Sequence, residues 1–207
     1  MINAILTYDN RDEKLGDFFD LCATKTKDSI ADDINLYEIN SQSLNELTIQ
    51  FRTETLNQYP FLFISFTHGT ETELLKDGAI PFLSVTLNHE KLINSLSYCF
   101  ACSAGKKLGI FLIENGALGF VGYNKDVTIQ IFFDAMSSFV DCATCGIIYF
   151  INGMSLADSI ALMKVKYTEC MDSFYLRDMI IASSFMENRD ALVLFGNSEL
   201  TIKDFII

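Results

Sequence analysis

Basic side chains are in short supply. There are 15 Lys and Arg against 27 Asp and Glu, a formal charge of −12, and nowhere do the basic residues cluster. Nothing in the chain can neutralise a row of phosphates, so nucleic acid is excluded as a direct partner. Long apolar runs are missing as well. No segment reaches the ~18 uninterrupted apolar residues of a membrane span, and the uncharged stretch between Asp141 and Asp158 is broken by Asn152 and Gly153. The opening MINAILTYDN has no basic n-region and reads as a first strand, so the expectation is a cytoplasmic protein. In that setting the six cysteines are expected as reduced thiols rather than disulfides. Proline occurs only at Pro60 and Pro81, near strand starts or edges, where its missing N–H is tolerated. No repeat, low-complexity tract or linker divides the 207 residues, which predicts one domain, 1–207.

Half of the residues are apolar, enough for a substantial core. Ile2–Tyr8 reads as a buried strand. Leu15, Phe18, Phe19 and Cys22 recur at helical spacing, and Thr24–Asp33 reads as a loop. A short strand over Asn35–Asn40 precedes a helix opened by a capping-box pair, Ser43 and Glu46. Strands are expected at Pro60–Thr67, Leu96–Ala101, Ala117–Tyr123 and Ala191–Phe195. A hairpin is expected at Lys76-Asp77-Gly78-Ala79. Helices are expected over Asn88–Asn94, Lys107–Asn115 (stopped by Gly116), 128–150, Ser155–Met171 and Leu176–Met186. Phe18, Phe19, Phe61, Phe63, Phe111, Phe132, Phe133 and Phe139 fall in apolar patterns and read as core. The alternation of strand and helix predicts an α/β fold with a mostly parallel central sheet and helices on both faces.

Two strand ends carry the chemistry. PFLFISFT delivers His68-Gly69, and LSYCFA delivers Cys102 followed by Ser103-Ala104-Gly105. Functional groups gather beyond the carboxyl ends of parallel strands, and neighbouring strands lie ~5 Å apart. If these two are neighbours, an imidazole and a thiol meet at one sheet edge. A thiol titrating near ~8.5 needs a base to become a nucleophile, and His68 is placed to serve. Gly69 has no Cβ, so its N–H can approach a substrate carbonyl. With the N–H of Cys102 it would form an oxyanion hole. His89, in Asn88-His89-Glu90, reads as a surface or capping residue.

FISFTHGT followed by YCFACSAG resembles the caspase-like clan of cysteine peptidases, in which one apolar strand ends in His-Gly and another in the catalytic Cys. Downstream, ACSAG, GALGFVGYNKDV, GMSLADSIALMKVKY and ALVLFGNSEL are most similar to the CHAT-type members, so that the resemblance runs from about Phe61 to Leu200. It implies a three-layer caspase-like fold and a cysteine endopeptidase. His68 would be the general base, Cys102 the nucleophile and Gly69 an oxyanion donor, with no cofactor and no metal. The substrate would be a protein or peptide, and a regulatory subunit or a homodimer would be the expected partner. A bacterial defence or regulated-death setting is implied in the same way. Loops after the first strand and near the last strands form the specificity pocket in this clan, which makes Asp9, Asp12 and Asp126 candidate acids for a basic substrate side chain.

Two other readings compete. One is a non-catalytic caspase-like scaffold or dimer partner. The other is a zinc-stabilised binding domain, since Cys99/Cys102 and Cys142/Cys145 are both C-x-x-C pairs, a spacing that zinc sites use. Against zinc, Cys99 lies inside a strand on the face opposite Cys102. Cys142 and Cys145 lie in an apolar helical segment without knuckle glycines. Cys22 and Cys170 read as packing residues.

Overall fold

The computed structural model describes residues 1–31 and 33–206, apart from the side chains of Phe133 and Asp134. In chain order the elements are β1 (Ile2–Tyr8), α1 (Gly16–Asp28), β2 (Ile34–Asn40), α2 (Glu46–Leu56), β3 (Phe61–Phe66), β4 (His68–Gly69), β5 (Glu73–Lys76), β6 (Ile80–Ser84), β7 (Ser95–Phe100), α3 (Leu108–Glu114), β8 (Gly119–Tyr123), α4 (Phe133–Ile151), α5 (Leu156–Tyr175), α6 (Met179–Ala191) and β9 (Leu192–Gly196). The main sheet has the order β2-β1-β3-β7-β8-β9. Its strands run parallel except for β9, which is antiparallel to β8.

Every inner strand is buried on both faces, and its side chains alternate strictly between two cores. Leu62, Ile64 and Phe66 of β3 and Leu96, Tyr98 and Phe100 of β7 join Phe18 and Phe19 of α1, Phe139 of α4, Tyr167 of α5 and Phe185 of α6 on one side. The intervening Phe61, Phe63, Cys99 and Ala101 face the other side, with Ile49 of α2, Leu108 of α3 and the β5–β6 hairpin residues Leu74 and Phe82. The result is three layers: four helices, the sheet, and two helices beside a small β4-β5-β6 sheet.

Local departures from the sequence reading have identifiable causes. The α1 stripe continues through Ala23 and Thr26, both buried, and carries the helix to Asp28 where a loop was expected. Asn45, not Ser43, caps α2, its side chain accepting from the Thr48 N–H at 3.0 Å. The 128–150 helix starts only at Phe133, because the backbone of Val127 and Thr128 is tied instead to the Cys102 sulfur and the Asn188 side chain. Phe132 is 68% exposed rather than core, and the side chain of Phe133 lies outside the described residues. His89 opens a short 3-10 turn with its ring edge-on to Phe111, 4.9 Å between centroids.

Candidate active site

β3 and β7 are hydrogen-bonded neighbours, with Phe66 opposite Phe100, and the Thr67 N–H extends the pairing to the Phe100 carbonyl at 3.3 Å. His68 and Cys102 each lie two residues beyond that last matched pair. They therefore leave adjacent parallel strands, themselves ~4.8 Å apart in the ladder direction, at the same step and with the parity of Phe66 and Phe100, His68 going on to pair with Leu75 in the small sheet. Gly69 shows how closely the two loops approach. A Cβ built there would stand 2.8 Å from the Ala101 Cβ and 3.1 Å from the Cys102 carbonyl oxygen, so no other residue fits without displacing the cysteine loop. The Gly69 N–H is also free of the β4–β5 ladder. Thr70 donates to Glu73 at 2.9 Å, which makes Thr70/Glu73 a hydrogen-bonded pair. Gly69 pairs with Leu74 in the next position, where antiparallel strands exchange no bonds.

His68 is held from two sides. Its ring is edge-on to Phe19 at 5.5 Å, and its Nε2 lies 3.0 Å from Oδ2 of Asp12, with side-chain exposures of 25% and 12%. The other oxygen of Asp12 accepts the backbone N–H groups of Lys14 and Leu15 at 3.0 and 2.7 Å. Burial alone raises the Asp12 pKa, but those two N–H groups and His68 outweigh it, so the carboxyl is held below its ordinary range. An ionised carboxylate only accepts hydrogen bonds. Nε2 of a neutral His68 therefore carries the ring proton, and Nδ1 is left as the basic nitrogen.

Cys102 is half-buried, while the other five thiols are buried. Its sulfur accepts the Val127 N–H at 3.4 Å, and in its protonated form it faces the Val127 carbonyl at 3.9 Å. Desolvation raises the thiol pKa. The Val127 N–H and the residue's own N–H oppose the rise, and the charge of Asp126 adds to it. Ser103 follows with a left-handed backbone, φ 55°. It is pinned by its N–H to the Lys125 carbonyl at 2.9 Å and by its hydroxyl to Asp126 at 2.8 Å. Glu71 closes the other side, pairing with Lys106 and Lys107 at 2.8 Å each. Those two ion pairs bring its pKa down to about 2.

The three acids named from the sequence separate in space. Asp126 is exposed beside Cys102. Asp12 is not a free pocket acid but the partner of His68. Asp9 corrects the reading most clearly. It is fully buried, with one oxygen accepting the Ser41 hydroxyl and the other the Asp77 N–H, both at 2.6 Å. Its burial keeps it out of reach of a substrate cation. Its role is to hold the β5–β6 turn, whose Gly78 packs near the His68 ring. A cavity of about 570 Å³ lies on this side of His68, bordered by Arg11, Asp12, Glu13, Lys14, Asp77 and Gly78. No local motif marks Asp12 as the residue that orients His68. The signal lay in strand order: β1 neighbours β3, so the loop carrying Asp12 sits beside the one carrying His68.

The C-x-x-C pairs do not converge. Cys99 belongs to the core on one side of the sheet, and Cys142 and Cys145 to the core on the other. Cys142 instead faces Cys170 at 3.6 Å. Among the described residues, no group of three or more His, Cys, Asp or Glu side chains is arranged to hold a metal ion, and no helix is long and apolar enough to cross a membrane.

No family model matches the chain, and no curated protein does. Solved structures do. Gingipain R, described as an Arg-specific cysteine proteinase, superposes over 96% of this chain with a TM-score of 0.58 at 13% identity. The complex of the pro- and mature domains of RgpB from Porphyromonas gingivalis superposes over 96% with a TM-score of 0.59 at 11% identity. The fold is caspase-like. At such identities the likeness carries the fold alone, and this caspase-like chain spans only 47% and 48% of the two solved chains. A caspase-like sheet accounts for the shared rim: its parallel strands β3 and β7 end side by side, and the loops leaving them approach closely at Gly69.

Proposed function

We propose that the protein is a cysteine endopeptidase, of CHAT type, built on this caspase-like fold. The observation that carries the reading is the placement of His68 and Cys102, each two residues beyond the last matched pair of two neighbouring parallel strands. Because burial keeps the thiol protonated, the proton of Cys102 passes to Nδ1 of His68 as the sulfur attacks the peptide carbonyl carbon. The N–H groups of Gly69 and Cys102 receive the oxyanion. Collapse breaks the C–N bond, and the His68 imidazolium protonates the departing amine. Water, deprotonated by the same imidazole, then cleaves the thioester and regenerates the thiol. Asp12 fixes the ring and stabilises its charged form throughout. Asp126, exposed beside the nucleophile, favours Arg or Lys before the scissile bond. A protein partner, cut in a defence or regulated-death response, is the natural substrate in this reading, with a regulatory subunit or a second copy as the further partner.

A peptide library presenting every residue before the cut tests it. Wild-type protein is expected to cleave after Arg or Lys, and Cys102→Ala is expected to lose activity by about a thousandfold or more. Undiminished cleavage by Cys102→Ala contradicts the proposal. One observation favours the non-catalytic scaffold reading: the raised thiol pKa of Cys102 in the unliganded protein. That reading predicts that a substrate-like electrophile never labels Cys102, even with a partner protein present.

A further inference from the structure

The segment after β8 has no regular structure between Val127 and Ile131, yet it runs along α6 in step. The Asn124 N–H bonds the Ala191 carbonyl at 2.8 Å, Thr128 meets Asn188, and Gln130 reaches Ser184 at 3.4 Å. The middle contact is the strongest. Asn188 is fully buried. Its Nδ2 donates to the Thr128 carbonyl at 2.8 Å, and its Oδ1 accepts the Thr128 N–H at 2.9 Å. One carboxamide thus satisfies both backbone groups of one residue, as a neighbouring strand would. Asp would lose the donor, and an apolar side chain would lose both groups.

The residue immediately before Thr128 is the one that touches the candidate nucleophile, through the N–H and C=O of Val127. The carbonyl suits the protonated sulfur and the N–H suits the thiolate, so this single residue serves Cys102 in both states. Val127 thus adds, from outside the cysteine loop, to what the N–H of Cys102 itself supplies. Asn188 fixes the residue on one side of Val127, while Ser103 holds Lys125 and Asp126 on the other.

We infer that Asn188 is a positioning residue for Cys102: it clamps Thr128 so that the Val127 N–H is aimed at the sulfur and stabilises the attacking thiolate. The inference rests on Cys102 being the nucleophile for its catalytic meaning, but not for its test, which needs no turnover. The rate at which iodoacetamide alkylates Cys102 is measured against pH, with the site assigned by peptide mapping. Removing a donor to a thiolate raises the pH at which it forms. Asn188→Ala is therefore expected to shift the midpoint upward by about one pH unit, or about tenfold less labelling at a fixed pH below the midpoint. A folded variant, with wild-type circular dichroism and an unshifted profile, overturns the inference. Amide exchange in the wild-type protein supplies a second reading that needs no variant. The Thr128 N–H is expected to exchange slowly, and exchange at the rate of an open loop also overturns the inference. If Cys102→Ala cleaves peptides as well as wild type, the peptidase reading fails while the labelling shift still decides the role of Asn188.

Discussion

Asp12 shows how one side chain can serve folding and chemistry together. One oxygen ends the polar loop before α1 by accepting Lys14 and Leu15 N–H groups, and the other meets His68. Asp12→Asn keeps the shape but removes the charge, and its amide can present a donor to Nε2, which favours the wrong tautomer. Activity is expected to fall about 10- to 100-fold in kcat with little change in KM. The carboxyl is also linked to stability. Its pKa in the folded protein is held below the unfolded value, so its contribution is complete above the unfolded pKa and is lost as pH falls through the folded one. Thermal midpoints of wild type and Asp12→Asn are expected to differ most from pH 7 down to about pH 5 and to converge below about pH 4. A gap that widens on acidification contradicts the assignment. Sequence spacing alone placed this acid after the first strand; only the β1–β3 pairing turns it towards the imidazole.

The β5–β6 hairpin is the element that walls His68. Asp77 and Gly78 both have positive φ, 52° and 64°, as in a type I′ turn, the Ala79 N–H closes the turn on the Lys76 carbonyl at 3.1 Å, and Lys76 pairs with Ile80. Asp9 holds the tip through the Asp77 N–H. Asp9→Ala leaves that N–H and the Ser41 hydroxyl unpaired, an expected loss of about 1–3 kcal/mol in urea unfolding. Gly78→Ala strains a left-handed position and is expected to cost about 1 kcal/mol. A destabilisation order reversed between the two would mean that the turn's own geometry, not the buried carboxylate, holds it in place. Such elements were legible where local chemistry decides them. The Asp-Gly turn was readable, and so were continuous apolar runs such as FLFISF, because a strand covered on both faces needs no alternation. Residues 127–132 were not readable: their extended course depends on Asn188, some 60 positions away in sequence, and their apolar composition reads as helix.

Taken whole, the molecule converts topology into proximity. Placing β3 beside β7 with β1 and β8 outside them brings four loops to one rim: Asp12 from the first, His68 from the second, Cys102 from the third, and Val127 and Asp126 from the fourth. The alternating pattern of strand and helix made the parallel sheet and the two critical strand ends legible. The order of the strands, and with it the supporting acid and the clamp behind the nucleophile, depends on long-range pairing that no local window contains. The claim that His68 and Cys102 act as one unit is tested most directly by covalent trapping. A peptide ending in Arg with a carbonyl electrophile is mixed with wild type, His68→Ala and Cys102→Ala, and the adduct is located by mass spectrometry. The expected result is one adduct per chain on Cys102, formed at least about tenfold more slowly in His68→Ala and absent in Cys102→Ala. An adduct on any other residue, or one formed on Cys102 at the same rate without His68, would contradict the account.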